Sequence, residues 1–84
     1  MQKDKVIVIF KIEKRKQSFD IEVPLDISAN ELIVALDSAY GLGIDVSDIK
    51  NCYLQAENPI ALLKGEKKLE NFGIRNGSII YFRK

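Results

Sequence analysis

Two stretches of alternating side chains, separated by a short polar run, constrain this chain more than anything else in it. Val6, Val8, Phe10 and Ile12 are apolar at every second position, and so are Phe19, Ile21 and Val23. Period two is the spacing of a half-buried strand, because successive side chains leave a strand on opposite faces. The Glu13-Lys14-Arg15-Lys16-Gln17 stretch between them breaks the pattern, and Pro24 ends it. Two alternating runs around a short polar connection predict an antiparallel hairpin. A hairpin is marginal alone and needs a partner on its apolar face.

That partner follows directly in sequence. Ser28-Ala-Asn-Glu31 has capping-box spacing, and Ala29, Leu32, Ile33, Leu36, Ala39 and Tyr40 then recur at helical intervals. Gly41 and Gly43 supply the left-handed residue that stops a helix. One amphipathic helix over 29–40 is predicted to cross the sheet. Beyond it, Asp45–Asp48 reads as a capped turn, and Ile49–Ala56 as a strand with Cys52 and Leu54 inward and Tyr53 outward. Asn58-Pro59 turns the chain and Ile60–Leu63 makes a brief edge strand. Leu69, Phe72 and Ile74 plug one end of the core, Asn76-Gly77 turns again, and Ser78–Phe82 is the last strand. The expected architecture is α+β: a mixed four-to-five-stranded sheet packed on one α-helix, a single domain over 1–84 with its core at about 6–83.

Composition narrows the function classes. Among 84 residues, thirteen Lys+Arg against twelve Asp+Glu give a formal charge of +1. A chain so nearly neutral gathers neither nucleic acid nor anionic lipid by its field, so no nucleic-acid partner is expected. There is no histidine, and the single cysteine has no internal partner for a disulfide. The reading is therefore not an enzyme, with no catalytic residue, no metal site and no cofactor. Asp45 and Asp48 lack further ligands at calcium-loop spacing and are read as caps. Cys52 is read as a small core hydrophobe. Val6–Phe10 is only five apolar residues long, too short for a signal peptide or a membrane span, so no direct membrane insertion and a cytoplasmic location are expected.

The candidate binding residues come from the other face of the same strands. If Val6, Val8 and Phe10 point to the helix, Ile7 and Ile9 point away. The same rule sends Ile79 and Tyr81 outward, with Ile80 and Phe82 inward. Ile7, Ile9, Tyr53, Ile79 and Tyr81 are then the candidate protein-binding patch, on the order of several hundred Å², the size at which exposed apolar surface marks contact sites. Lys14, Arg15 and Lys16 form a solvated hairpin tip that offers a secondary basic contact.

A hairpin, one helix and an ending of Leu69-x-x-Phe72-x-Ile74-x-x-Gly77-Ser78-x-Ile80-x-Phe82 resemble ubiquitin-like β-grasp domains. That resemblance implies a last strand lying parallel to the first, between it and the strand that holds Tyr53. Members that are conjugated or carry sulfur end in Gly-Gly, whereas this chain ends Arg83-Lys84, so a tagging role is not expected. The size, Val6-x-Val8-x-Phe10, Phe19–Pro24, Leu32-Ile33-x-x-Leu36 and Gly73-Ile74-x-Asn76-Gly77 resemble the EsaB/YukD family of bacterial type VII secretion. The resemblance implies a cytosolic, non-conjugated accessory or adaptor protein of a Gram-positive bacterium. Its expected partner is a protein, such as a membrane or ATPase component of the secretion system, with a weak homodimer through the sheet face as an alternative. A ubiquitin-like interaction domain for another partner, such as a small GTPase, is the alternative function.

Overall fold

The structure, a computed structural model, describes residues 4–83. Residues 1–3 and 84 of the expected domain lie outside the described residues. β1 (Lys5–Ile12) and β2 (Gln17–Pro24) form the predicted hairpin, in register from Lys5 opposite Pro24 to Ile12 opposite Gln17. A single 3-10 turn, Glu13–Arg15, joins them. It closes when Lys16, at a left-handed φ of 54°, donates its N–H to the Glu13 carbonyl at 3.1 Å. Val6, Val8, Phe10 and Ile12 are buried, as the alternation requires.

α1 spans Ala29–Tyr40, the predicted limits. The Ser28 hydroxyl accepts from the Glu31 amide at 3.1 Å, and the Glu31 carboxylate accepts from the Ser28 amide at 2.9 Å. Two more amides of the first turn donate outside the helix, Ala29 to the Lys67 carbonyl and Asn30 to the Gly65 carbonyl. The donors that a helix start leaves unpaired are thus consumed by the cap and by the loop after the fourth strand. Ala29, Leu32, Ile33 and Leu36 are the buried stripe. Ala39, placed in that stripe by its spacing, is exposed instead. Tyr40 covers this end of the helix, its ring 5.3 Å from Phe10 and 4.8 Å from Phe19 between centroids.

The segment after the helix departs from expectation. Ile49–Cys52 is not strand: a kinked 3-10 element occupies Val46–Asn51, and β3 is confined to Leu54–Glu57. Local hydrogen bonding explains this. Asp45 accepts from the Ser47 amide at 3.2 Å, and the Asp48 and Cys52 amides donate to the Asp45 and Ile49 carbonyls, both at 3.0 Å, which gives the backbone an alternative to a ladder. β4 is Ala61–Leu63, a third 3-10 element covers Leu69–Phe72, and β5 is Ile79–Phe82.

The five strands lie in the order β2-β1-β5-β3-β4. β5 runs parallel to β1 and antiparallel to β3, and the two hairpins are antiparallel. One core fills the space between the sheet and α1, with Val8, Phe10, Ile33, Leu63, Leu69 and Ile80 fully shielded from water. Ser78 is its polar member. Its hydroxyl donates to the Asn58 carbonyl at 2.6 Å and accepts from the Arg75 amide at 3.0 Å, which ties the β3–β4 turn to the entry of β5.

Candidate protein-docking face

The face of the sheet turned away from α1 carries the candidate site. Register sets its rows. Ile9 lies opposite Ile79 and Ile79 opposite Glu57, with Asp20 beside Ile9 on β2. The next row runs Lys11, Tyr81, Gln55 and Leu62. Ile7 precedes Ile9 on β1, and Tyr53 immediately precedes β3 with the outward parity of Gln55.

The five candidate residues do not share one environment. Ile7 and Tyr53 are 47% and 48% exposed, while Ile9 and Ile79 are half-buried beside one another. Tyr81 faces outward, but the expectation that it is exposed is corrected: only 8% of it meets solvent. The Arg83 guanidinium sits 4.1 Å from its ring centroid and the Lys11 ammonium 5.7 Å, so two cations roof the ring. Its hydroxyl donates to the Glu57 carboxylate at 2.9 Å. That hydrogen bond, and then burial, raise the phenol pKa above its ordinary value. Arg83 is itself held by Glu13 at 3.2 Å and by the Gln55 side-chain oxygen at 3.1 Å. Tyr81 with its roof therefore stands between the isoleucines and Tyr53.

Two further apolar side chains extend the face beyond the sequence-derived set. Leu62 on β4 is 52% exposed, and Ile60 at the β3–β4 turn is 90% exposed. Alternation already held this signal, because an inward Leu63 requires an outward Leu62. Of the six large hydrophobic residues left exposed among the described residues, Ile7, Tyr53, Ile60 and Leu62 belong to this face and its β4 rim.

The basic tip divides in a similar way. Arg15 is not a free cation: its guanidinium donates to the Tyr40 carbonyl at 2.8 Å and the Gly41 carbonyl at 2.7 Å. It is the C-terminal cap of α1, placed there because the hairpin tip overhangs the helix end. Lys14 and Lys16 remain exposed. Beneath this tip, Ile12, Leu42, Ile44, Cys52, Tyr53 and Phe82 line a groove of about 460 Å³. Cys52 is half-buried rather than inward on a strand, and its single S–H is shared between two acceptors, the Asp45 and Asp48 carbonyls, both 3.4 Å from the sulfur. Among the described residues, no three His, Cys, Asp or Glu side chains are grouped to hold a metal ion. No helix among them is long and apolar enough to cross a membrane.

Solved structures place the fold among ubiquitin-like β-grasp domains. The C-terminal ubiquitin-like domain of mouse tubulin-specific chaperone e superposes with a TM-score of 0.76 at 15% identity, over 99% of this chain and 89% of that one. The UBL domain of yeast Ddi1 gives 0.69 at 16% identity, over 99% and 92%. The ubiquitin-like domain of the Mycobacterium tuberculosis type VII secretion system protein ECCD1 gives 0.54 at 14% identity, over 96% and 99%. Residues 7–82 match the model of the YukD protein of the WXG100 protein secretion system (Wss), and the chain belongs to that family. It is a ubiquitin-like protein associated with this secretion system. No curated protein sequence matches it.

Proposed function

We propose that the chain acts in the cytoplasm as an accessory protein of the WXG100 secretion system, docking on a protein component of the apparatus through the outer face of its sheet. The observation that carries this reading is the exposure of Ile7, Tyr53, Leu62 and Ile60 on that face and its rim, beside half-buried Ile9 and Ile79. Apolar area concentrated on one side of a small domain gains most from being covered, and tyrosine is enriched where such contacts are strongest. A membrane or ATPase component is the proposed partner.

The proposal is of binding rather than catalysis. The one thiol is engaged by two backbone carbonyls, and the buried hydroxyls of Ser28 and Ser78 are engaged in a helix cap and a turn.

Co-purification of the tagged chain from a host that carries the system tests this reading. Secretion components should be recovered with the unaltered chain and lost with Ile7→Lys or Leu62→Asp, changes at two exposed positions, the first of which sets a lysine opposite Glu22. Equal recovery with all three proteins, or recovery of no secretion component, would sink it.

A further inference from the structure

β2 is an edge strand along its whole length: all eight residues pair with β1, and nothing pairs with its other side among the described residues. Which backbone groups face that open side follows from the hydrogen bonds. Leu25 donates to the Asp4 carbonyl beyond the end of the register, and an antiparallel ladder alternates between bonded and non-bonded pairs. The bonded pairs are therefore Val6–Val23, Val8–Ile21, Phe10–Phe19 and Ile12–Gln17. The other side of β1 agrees, since Ile9 donates to the Ser78 carbonyl and Ile7 to the Asn76 side chain. Ser18, Asp20 and Glu22 consequently turn both N–H and C=O away from the sheet.

The side chains along this edge define what it accepts. Ser18, Asp20 and Glu22 are exposed on the outer face, and neither carboxylate has a partner among the described residues. Phe19 and Ile21 point toward the helix layer but are only half-buried, unlike Val23. A strand laid against β2 would set its outward residues beside Asp20 and Glu22 and its inward residues beside Phe19 and Ile21. Directly opposed charges of unlike sign stabilise such pairs and like charges oppose them. A second copy is disfavoured for that reason: its two fullest antiparallel overlaps set Asp20 against Asp20 or against Glu22. We infer that the open edge of β2 takes up an extended protein segment in which Lys or Arg alternates with apolar residues, adding it as a sixth strand. This site is separate from the docking face and does not depend on it.

The probe is a synthetic octapeptide of alternating Lys and Val, compared with its Glu-Val counterpart and with a Lys-Val peptide N-methylated on every backbone amide, so that no N–H remains to pair with β2 in either strand direction. Amide hydrogen exchange of the full chain is read residue by residue. On addition of the Lys-Val peptide, the Ser18, Asp20 and Glu22 amides should slow about tenfold or more while Phe19 and Ile21, already paired with β1, change little. The Glu-Val and N-methylated peptides should leave all of them unchanged. An Asp20→Lys, Glu22→Lys chain should reverse the preference toward the Glu-Val peptide, and Asp20→Asn should weaken Lys-Val binding if the double variant fails to fold. An equal response to the N-methylated peptide would overturn strand addition in favour of charge attraction alone. Protection of the three amides by a second copy, or no change with Lys-Val, would overturn the inference as well.

Discussion

Replacing Arg15 separates a helix-capping cation from a merely exposed one. Its guanidinium makes two hydrogen bonds, at 2.8 Å and 2.7 Å, to carbonyls that the end of α1 leaves without intrahelical partners. Hydrogen bonds from charged donors are worth about 1.5–3 kcal/mol when buried, and water competes strongly at this exposed site, so about 0.5 kcal/mol each is appropriate. Attraction to the negative end of the helix dipole adds about 0.3–1 kcal/mol. Arg15→Ala should therefore cost about 1–2 kcal/mol. In a domain of this size each kcal/mol lowers Tm by about 4–8 °C, so thermal melting followed by circular dichroism should fall by about 4–15 °C. Lys14→Ala, on the same turn and making no such bond, should stay within about 0.5 kcal/mol of the parent. Arg15→Lys keeps the charge but loses the two-pronged geometry, and should fall between them. Equal Tm values for Arg15→Ala and Lys14→Ala would refute the capping argument and restore the tip as a free basic surface.

Two further predictions follow from the buried polar groups. Ser78→Ala removes the hydroxyl that joins the Asn58 carbonyl to the Arg75 amide and should cost about 1–3 kcal/mol in urea unfolding, whereas Ser78→Thr should retain part of the bond network. Because the hydrogen bond to Glu57 and burial raise the Tyr81 pKa in the folded state, the folded chain holds that proton more tightly than the unfolded one. Its contribution is complete below the unfolded value of about 10 and is lost as pH rises through the folded value, so stability should decline in that alkaline window. Ultraviolet titration should show one late-ionising tyrosine that Tyr81→Phe removes, together with its share of the alkaline decline.

Much of the fold was legible because period and punctuation agreed along most of the chain. The β1–β2 alternation, the Ser28–Glu31 cap and Gly41 each point to the element that forms, and α1 matches its predicted limits. Asp45–Asp48 forms the capped turn its sequence suggests, but Ile49–Cys52 reads as strand only because Ile49, Cys52 and Leu54 supply strand-like composition; the Cys52 amide instead donates to the Ile49 carbonyl and keeps this stretch in a 3-10 turn. Helical spacing puts Ala39 in the buried stripe because it does not reveal that the large Tyr40 ring already seals that end against Phe10 and Phe19.

The outward direction of Ile7, Ile9 and Ile79 could be read from alternation, but exposure is a property of neighbours. Tyr81 is covered by Arg83 and Lys11, side chains that reach it across strands, and Arg15 finds its carbonyls 25 and 26 residues away. Local sequence encodes neither contact. Leu62 was recoverable, since the period-two rule that sends Tyr53 outward also sends Leu62 outward.

The most direct test of the docking face is secretion itself. The chromosomal copy is replaced by a chain carrying Ile7→Lys and Tyr53→Ala, two changes on exposed positions, the lysine lying opposite Glu22, that should leave melting within about 1 kcal/mol of the parent. WXG100 substrate is then measured in culture supernatant and in cells at matched levels of the accessory protein. The account predicts substrate lost from the supernatant while the variant remains folded and abundant. Undiminished secretion by that folded variant would contradict it.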